Sequence, residues 1–312
     1  MLNIAYKLLN TCILIFITTA VFANQTTPTS ASTANRYYQE QNWSKAAQAY
    51  QEITNSQAQN HLAWYRLGIA HIELNEPSPA LQALSKAANS PNLPRMLIFY
   101  QQARAYKLLN KHDEMFTSLQ QAAESGYSIV TNFQQNAFWN DVKNMAQFVS
   151  IANLVDKNAR PCLYDDKYAQ FDFWLGKWDV YGNLEKTGPK YGHNLIEKSQ
   201  NGCLLTEHWL GAGGSTGTSM NYYDGTINRW VQHWVSASGT VINYQGDIQD
   251  GAMILHGKIF YINTEQNPIR DFRGSWKPVN EGVVRQLLEE SVDGGKTWYT
   301  WFDGFYFSDK SD

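Results

Sequence analysis

The sequence predicts a multidomain α + β chain, with an N-terminal all-α helical repeat followed by a C-terminal all-β antiparallel up-and-down barrel. At 312 residues the chain is long enough to build two cores. Of its 21 glycines, all but Gly68 and Gly126 follow Cys162, and most of its 11 tryptophans do so too. Alanine-rich sequence without glycine favours helices, whereas glycine with aromatic and β-branched residues favours strands and tight turns.

Charge and composition exclude two classes of protein. The formal net charge is −3, from 25 basic and 28 acidic residues, so the chain lacks the basic excess that is typical of nucleic-acid binding. The charged fraction of 17% is low and the aromatic fraction of 14% is high, which argues against an intrinsically disordered chain.

Residues 1–23 have the features of a signal peptide. Lys7 supplies a positive start, Cys12–Phe22 a short apolar core, and Val21-Phe22-Ala23 a cleavage site of small residues. The apolar core is shorter than the ~20 residues that a spanning helix needs. We therefore expect export across the inner membrane, to the periplasm if the source is Gram-negative, and a mature chain without a membrane span. Residues 24–33 are predicted to form a flexible linker.

The helical part, residues 34–158, repeats a pattern of large and small side chains. One repeat contains Trp64, Leu67, Gly68, His71, Ala80, Leu84 and Ala87, and the pattern returns 35 residues later and 34 residues earlier. In this spacing and these residue types it resembles the tetratricopeptide repeat. The resemblance implies a solenoid whose concave groove engages a protein or peptide partner. The alternative is that the repeats only pack against the barrel and position it.

A last helical stretch is predicted to cap the solenoid. Phe138, Val142, Met145 and Val149 are spaced so that they would share one face of a single helix. The change in composition places the domain boundary near Asn158–Pro161.

The second domain, residues 163–308, alternates apolar and polar residues between regularly spaced turns. The turns are Asn201-Gly202, Asp224-Gly225, Ser238-Gly239, Asp250-Gly251, Asn280-Glu281-Gly282 and Asp293-Gly294-Gly295. They delimit about ten strands, from 174–181 to 298–307. Ten short strands that pair in sequence order close most simply into an up-and-down barrel.

The start of this domain carries a second resemblance. The segment from Phe171 to Val180 contains Gly176-Lys177-Trp178, and it resembles the first strand of lipocalins and related calycins, in particular an uncharacterised bacterial lipocalin-like family found after tetratricopeptide repeats. The resemblance implies that Trp178 closes one end of the barrel under a cationic side chain, Arg285 or, as second choice, Arg273. The predicted number of strands, about ten, departs from that of lipocalins and is closer to that of fatty-acid-binding or nitrobindin-like barrels.

Two cysteines, Cys162 and Cys203, remain after the signal peptide. An even pair in an oxidising compartment favours one disulfide, which would tie the segment that enters the barrel to its third strand. Two buried free thiols are the alternative.

Two histidines occur in similar surroundings, Glu207-His208-Trp209 and Gln232-His233-Trp234. One interpretation makes His208 and His233 inward-facing ligands of haem or a metal, because imidazole is the commonest metal ligand. A whole strand between them would separate them by ~10 Å, at the spacing of neighbouring strands. Ordinary strand or rim histidines are the preferred interpretation, and we predict no cofactor and no metal site.

No catalytic residue is assigned. The carboxylates of Glu207, Asp271, Glu289 and Glu290 are predicted to face solvent from their strands. The glycine-rich stretch 211–217, with Ser215, precedes a strand and is predicted to be a loop at the barrel mouth. Residues 291–298 match the sialidase Asp-box, which is a structural hairpin, and the domain is far too short for a propeller.

The function predicted from these features is that of an exported, non-enzymatic binding or adaptor protein. The repeats would engage a partner, and the barrel would hold a small hydrophobic ligand or serve as a second docking surface. Tryptophans at 209, 230, 234, 276, 298 and 301 are the candidate cavity lining, unless aromatic side chains fill the barrel completely. The alternatives are an enzyme or a haem or metal protein that uses His208 or His233, and a structural envelope component.

Overall fold

The computed structural model describes residues 30–262, 266 and 268–309. The predicted signal peptide and residues 24–29 of the predicted linker lie outside this range. Residues up to Ala122 form one compact unit, and residues from Ala123 form another. Within the described ranges, no helix is long and apolar enough to cross a bilayer.

The first unit is helical. Its helices are α1 (Ala31–Gln39), α2 (Trp43–Ser56), α3 (His61–Glu73), α4 (Pro77–Ala87), α5 (Arg95–Leu108) and most of α6 (His112–Glu124). From α1 to α5, each helix packs on the next. The side chains of Asn42 and Asn60 cap α2 and α3 by accepting from the backbone N–H of the third residue of each helix. Pro77 begins α4, where its missing N–H costs no hydrogen bond.

Small residues lie where the helices meet. A Cβ added at Gly68 would lie 2.8 Å from Cγ of Leu84, so the absence of a side chain at Gly68 lets Leu84 of α4 pack directly on the backbone of α3. The short turns between helices also recur. Gln41, Asn75 and Asn110 have φ values of 55°, 59° and 55°, and they follow one another at the spacing of the sequence repeat.

The second unit has further helices before its strands. They are α7 (Thr131–Gln134), a 3-10 turn (Ala137–Trp139) and α8 (Ala146–Ala159). The single helix predicted across Phe138–Val149 is wrong, because Phe138 lies in the 3-10 turn and Met145 directly precedes α8 in an extended conformation. Trp139, Val142 and Phe148 are buried there, and the rings of Trp139 and Phe148 are 5.8 Å apart.

The two units divide within α6, before the boundary that the composition indicated. Within the second unit, the end of α8 is linked to residues that precede α7, because Nδ2 of Asn158 donates to the backbone oxygens of Ala123 at 2.7 Å and Tyr127 at 3.0 Å.

Ten antiparallel strands follow and close into a barrel, as predicted. They are β1 (Gly176–Tyr181), β2 (Lys190–Ser199), β3 (Leu204–Gly211), β4 (Thr216–Asp224), β5 (Arg229–Ser236), β6 (Val241–Gln249), β7 (Ala252–Phe260), β8 (Ile269–Asn280), β9 (Val283–Ser291) and β10 (Tyr299–Ser308). Each strand pairs with its neighbours in sequence, and β1 pairs with β10 to complete the ring. The predicted turn at Asp250-Gly251 has both residues at positive φ, 49° and 76°, as tight hairpins require.

Aromatic side chains fill one end of the barrel, which we call the closed end. Phe171 and Trp174, from the segment before β1, are fully buried and stack with ring centroids 5.1 Å apart. Both rings contact Trp276, and Phe171 also contacts Trp230. Phe171 and Trp174 thus plug the closed end. The indole N–H of Trp178, on β1, donates to the backbone oxygen of Trp174 at 2.9 Å and so supports them.

Two further links hold residues 162–174, which we call the plug segment, against the barrel. A disulfide joins Cys162 to Cys203, directly before β3, with the Cα atoms 5.1 Å apart. Nζ of Lys198, at the end of β2, lies 2.7 Å from the carboxylate of Asp172 and 3.1 Å from the backbone oxygen of Tyr168. One end of the barrel is thereby covered by residues that precede its first strand.

Candidate functional site

The other half of the barrel encloses a cavity of about 240 Å³. Its lining is formed by Glu207, Trp209, Ser215, Gln232, Trp234, Ile242, Tyr244, Gln286, Leu288, Trp301, Phe302 and Tyr306. Ser215 belongs to the glycine-rich loop between β3 and β4, so this loop borders the cavity mouth. The barrel is therefore neither empty nor completely filled.

Aromatic rings form the wall near the mouth. Trp209 and Trp234 point inward from β3 and β5, and the ring of Phe302 meets Trp209 edge-on with centroids 5.9 Å apart. On β4, Gly217 makes room for the indole of Trp234, because a Cβ added at Gly217 would overlap that ring. The indole N–H of Trp234 is buried, and it has no hydrogen-bond partner among the residues that the structure describes.

Polar side chains form the inner end of the cavity, and Glu207 is at their centre. Its side chain is almost fully buried, at 3% exposure. Oε1 accepts a hydrogen bond from Nδ2 of Asn194 at 2.7 Å, and Oε2 accepts one from Oγ of Ser219 at 2.6 Å. Both partners are neutral, so the carboxyl group is solvated by hydrogen bonds and not by an opposite charge.

The hydrogen bonds that lead to Ser219 run in one direction. Tyr244 Oη donates to Gln232, and the amide of Gln232 donates to Asn221. The amide of Asn221 then donates to Oγ of Ser219 at 2.8 Å. Chains of this kind polarise one another, so each donor strengthens the next. Glu207 is the acceptor at which the chain ends.

Burial changes the acidity of the groups in this cluster. Desolvation raises the pKa of the Glu207 carboxyl to about 7, although its hydrogen bonds from Ser219 and Asn194 act in the opposite direction. Burial, together with the nearby Glu207 charge, raises the pKa of the Tyr244 and Tyr306 hydroxyls well above the ordinary tyrosine value. Carboxyl groups with such shifts are frequent in functional sites.

The raised pKa of Glu207 predicts a pH dependence of stability. In the unfolded chain this group titrates near 4.5, so between pH 4.5 and about 7 the unfolded state releases a proton that the folded state retains. The contribution of Glu207 to the free energy of unfolding should be largest below pH 4.5 and fall by about 3 kcal/mol as the pH rises through 7. Urea unfolding at a series of pH values measures this decrease.

Two variants separate the contribution of Glu207 from that of other titrating groups. Glu207→Gln should remove this part of the decrease. Glu197→Gln, at an exposed position on β2, should retain it. Equal slopes in the wild type and Glu207→Gln would contradict the assignment.

The structure divides the tryptophans that were predicted to line a cavity. Trp209, Trp234 and Trp301 line it, whereas Trp230 and Trp276 are part of the closed-end core. The indole N–H of Trp230 donates to Oε1 of Gln170 at 3.1 Å, which fixes it to the plug segment. Trp298 is not among the lining residues.

The inward orientation considered for His208 and His233 is wrong. Both lie on the outer face of the barrel, because Glu207, Trp209, Gln232 and Trp234 on either side of them point inward and side chains alternate along a strand. Nδ1 of His233 lies 2.7 Å from Oδ1 of the exposed Asn243, and its ring stacks on Tyr222. Over the described part of the chain, no group of three or more His, Cys, Asp or Glu side chains is arranged to hold a metal ion.

The predicted covering of Trp178 by Arg285 is also wrong. Arg285 lies on the outer face of β9, next to the inward Gln286, and its guanidinium forms a two-point contact with Asp303 at 2.8 Å. Arg273 is likewise engaged outside, with Glu289 at 2.7 Å and with the ring of Trp298 at 4.3 Å. Phe171 and Trp174 provide the closure instead.

The four carboxylates predicted to face solvent divide into two pairs. Asp271 and Glu289 lie on the outer face of their strands, where they pair with Lys258 and Arg273. The prediction is wrong for Glu207 and Glu290: Glu207 is directed into the cavity, and Glu290 lies on the same face of β9 as the inward Leu288, where it pairs with Arg270.

The Asp-box residues form a self-contained turn. Asp293 Oδ1 accepts from the backbone N–H groups of Lys296 at 3.0 Å and Thr297 at 2.9 Å, and these bonds contribute to lowering the pKa of Asp293 to about 2. The turn is local in its bonding and contributes no residue to the cavity lining.

Neither models of known protein families nor curated proteins give a match to this chain.

Proposed function

We propose that this protein is an exported binding protein whose barrel holds one small, largely apolar organic molecule, while its helical repeats engage a protein or peptide partner. The observation that supports the ligand most directly is the cavity, which has an aromatic wall and a polar inner end. Sites for small molecules commonly combine these two features, because the apolar wall supplies affinity and a few polar groups fix orientation.

The volume limits the size of the ligand. An apolar cavity of about 150 Å³ holds one benzene molecule. The cavity of about 240 Å³ is therefore suited to a single-ring compound with a short substituent. Long acyl chains would exceed it.

Binding of a neutral single-ring probe tests the proposal. We expect isothermal titration of the full chain with 2-phenylethanol to show one site, and native mass spectrometry of the purified protein to show any ligand retained from the cell. Trp209→Ala and Trp234→Ala should each weaken probe binding about tenfold, because each removes an aromatic wall.

Trp298→Ala is the matched control. This residue is also a barrel tryptophan, but its ring lies under the Arg273 guanidinium and outside the cavity lining. Its replacement should leave probe binding unchanged. The ligand proposal fails if the wild-type protein binds no probe, or if Trp298→Ala weakens binding as much as Trp209→Ala does.

For the helical part, we propose a tetratricopeptide-like solenoid. The recurring turn residues Gln41, Asn75 and Asn110 support it, because they mark the same point in three successive helix pairs. In-cell crosslinking from exposed positions of these helices tests whether they bind a protein partner, and we expect a protein to be crosslinked to them. A protein that is crosslinked only to positions in the barrel would contradict this part of the proposal.

A further inference from the structure

The cavity contains a carboxyl group without a countercharge. Among the described residues that line it, Glu207 is the only acid, and there is no Lys, Arg or His. The side chains that face Glu207 are Asn194 from β2 and Ser219 from β4, both neutral, and the titratable hydroxyls of Tyr244 from β6 and Tyr306 from β10. Buried carboxylates in proteins are ordinarily paired with a cation.

The hydrogen bonds of Glu207 leave its carboxylate oxygens able to accept further hydrogen bonds from a cation. An ionised carboxylate can accept about four hydrogen bonds. The structure gives one to each oxygen of Glu207, from Asn194 and Ser219. Because all donors of the chain from Tyr244 to Ser219 point toward Glu207, the cluster is organised to stabilise negative charge at this residue.

The aromatic wall also favours a positively charged ligand. Indole and phenyl faces carry negative potential and attract cations, most strongly when water is excluded. Trp209, Trp234, Trp301 and Phe302 all border the cavity, and Glu207 lies at its inner end. A ligand with a positive head and an apolar body would satisfy the wall and the carboxylate together, whereas an anion would be repelled by both.

We propose that the ligand of the barrel is a small organic cation, an amine whose ammonium group pairs with Glu207 and whose carbon skeleton packs against Trp209 and Trp234. This inference rests on the proposed ligand-binding function and assigns the class of its ligand. The ammonium group supplies the countercharge that the protein lacks at this point.

Binding is then linked to protonation of Glu207. An ammonium ion pairs only with the ionised carboxylate, so at pH 6 the ligand releases the proton that the empty site holds. Affinity for the amine rises as the pH approaches 8, while affinity for a neutral isostere stays constant over the same range. Tyr244 and Tyr306 do not ionise in this range, because the pKa of each is raised well above that of an ordinary tyrosine.

Three probes of similar size and different charge test the inference. Titration of the full chain at pH 8 compares 2-phenylethylamine, 2-phenylethanol and 3-phenylpropanoate. The amine binds at least about tenfold more tightly than the alcohol, which corresponds to ~1.4 kcal/mol, and the carboxylate binds least. Glu207→Gln removes the preference for the amine and retains binding of the alcohol, and Glu197→Gln leaves all three affinities unchanged.

A second measurement needs no variant. Calorimetry of the wild-type protein at pH 6, in buffers of different ionisation enthalpy, counts the protons released, and about one is expected for each amine bound. Equal affinity for amine and alcohol, or a preference for the amine that survives in Glu207→Gln, overturns the inference and leaves the proposed ligand-binding function intact. Failure of all three probes to bind overturns both.

Discussion

Replacing Trp174 by alanine is expected to lower the free energy of unfolding of the barrel by about 3–5 kcal/mol, the usual effect of removing a large aromatic side chain from a core. Trp174 is fully buried and contacts the rings of Phe171, Trp276 and Tyr306. The neighbours cannot collapse into the space freely, because the disulfide and the Lys198–Asp172 ion pair hold the plug segment in place. Equilibrium urea unfolding followed by tryptophan fluorescence measures the loss.

An exposed aromatic residue of the same domain provides the control. Tyr299, at the start of β10, is 58% exposed, so Tyr299→Ala should change the free energy of unfolding by no more than about 1 kcal/mol. A loss below about 1 kcal/mol in Trp174→Ala would mean that the plug is not part of the cooperative barrel structure.

Removal of the disulfide is expected to have an effect of similar size. The bond joins residues separated by 41 positions, and closing a loop of this length restricts the unfolded chain by about 4 kcal/mol in the chain-entropy model. The double variant Cys162→Ser, Cys203→Ser should lose this amount in urea unfolding. Since disulfides persist in oxidising compartments, recovery of the bond from the periplasmic fraction also tests the proposed export.

Chemical reduction separates the effect of losing the disulfide bond from the effect of replacing the two cysteine side chains. Dithiothreitol should lower the stability of the wild-type protein to that of the double variant and leave the variant unchanged. If the variant were as stable as the oxidised wild-type protein, the disulfide would have no role in holding the plug segment.

Local sequence features were sufficient to predict the barrel. Its turns depend on residues such as Asp250-Gly251, whose positive φ values are favoured by the residue types themselves. The closed end was predicted only in part. Gly176-Lys177-Trp178 marked the first strand, but nothing in the spacing indicated that Phe171 and Trp174 fold back as a 3-10 turn over the barrel end.

The alternation of side chains along β3 and β5 determines which residues face the cavity. Trp209 and His208 are adjacent, so they cannot both face the cavity, and choosing Trp209 already places Glu207 inside and His208 outside. The same rule applies to Gln232, His233 and Trp234 on β5. The sequence therefore contained a signal for Glu207, namely an acid two residues before a lining tryptophan.

Arg285 illustrates a different limit. A cationic cover for Trp178 was expected from resemblance, and resemblance does not specify on which face of β9 the side chain lies. That face depends on the register of the strand, which long-range pairing with β10 determines, and this pairing places Arg285 beside Asp303. The buried cluster around Glu207 likewise depends on the registers of several strands, because its members come from β2, β3, β4, β5 and β6.

Closure of the sheet also limits how the barrel meets other chains. Because β1 pairs with β10, each of the ten strands has a neighbour on both sides. A ring of this kind offers no free row of backbone N–H and C=O groups onto which an extended peptide, or the strand of a second molecule, could be added. Recognition by the barrel is therefore left to side chains and loops, and its folded form lacks the template from which edge-to-edge aggregation starts.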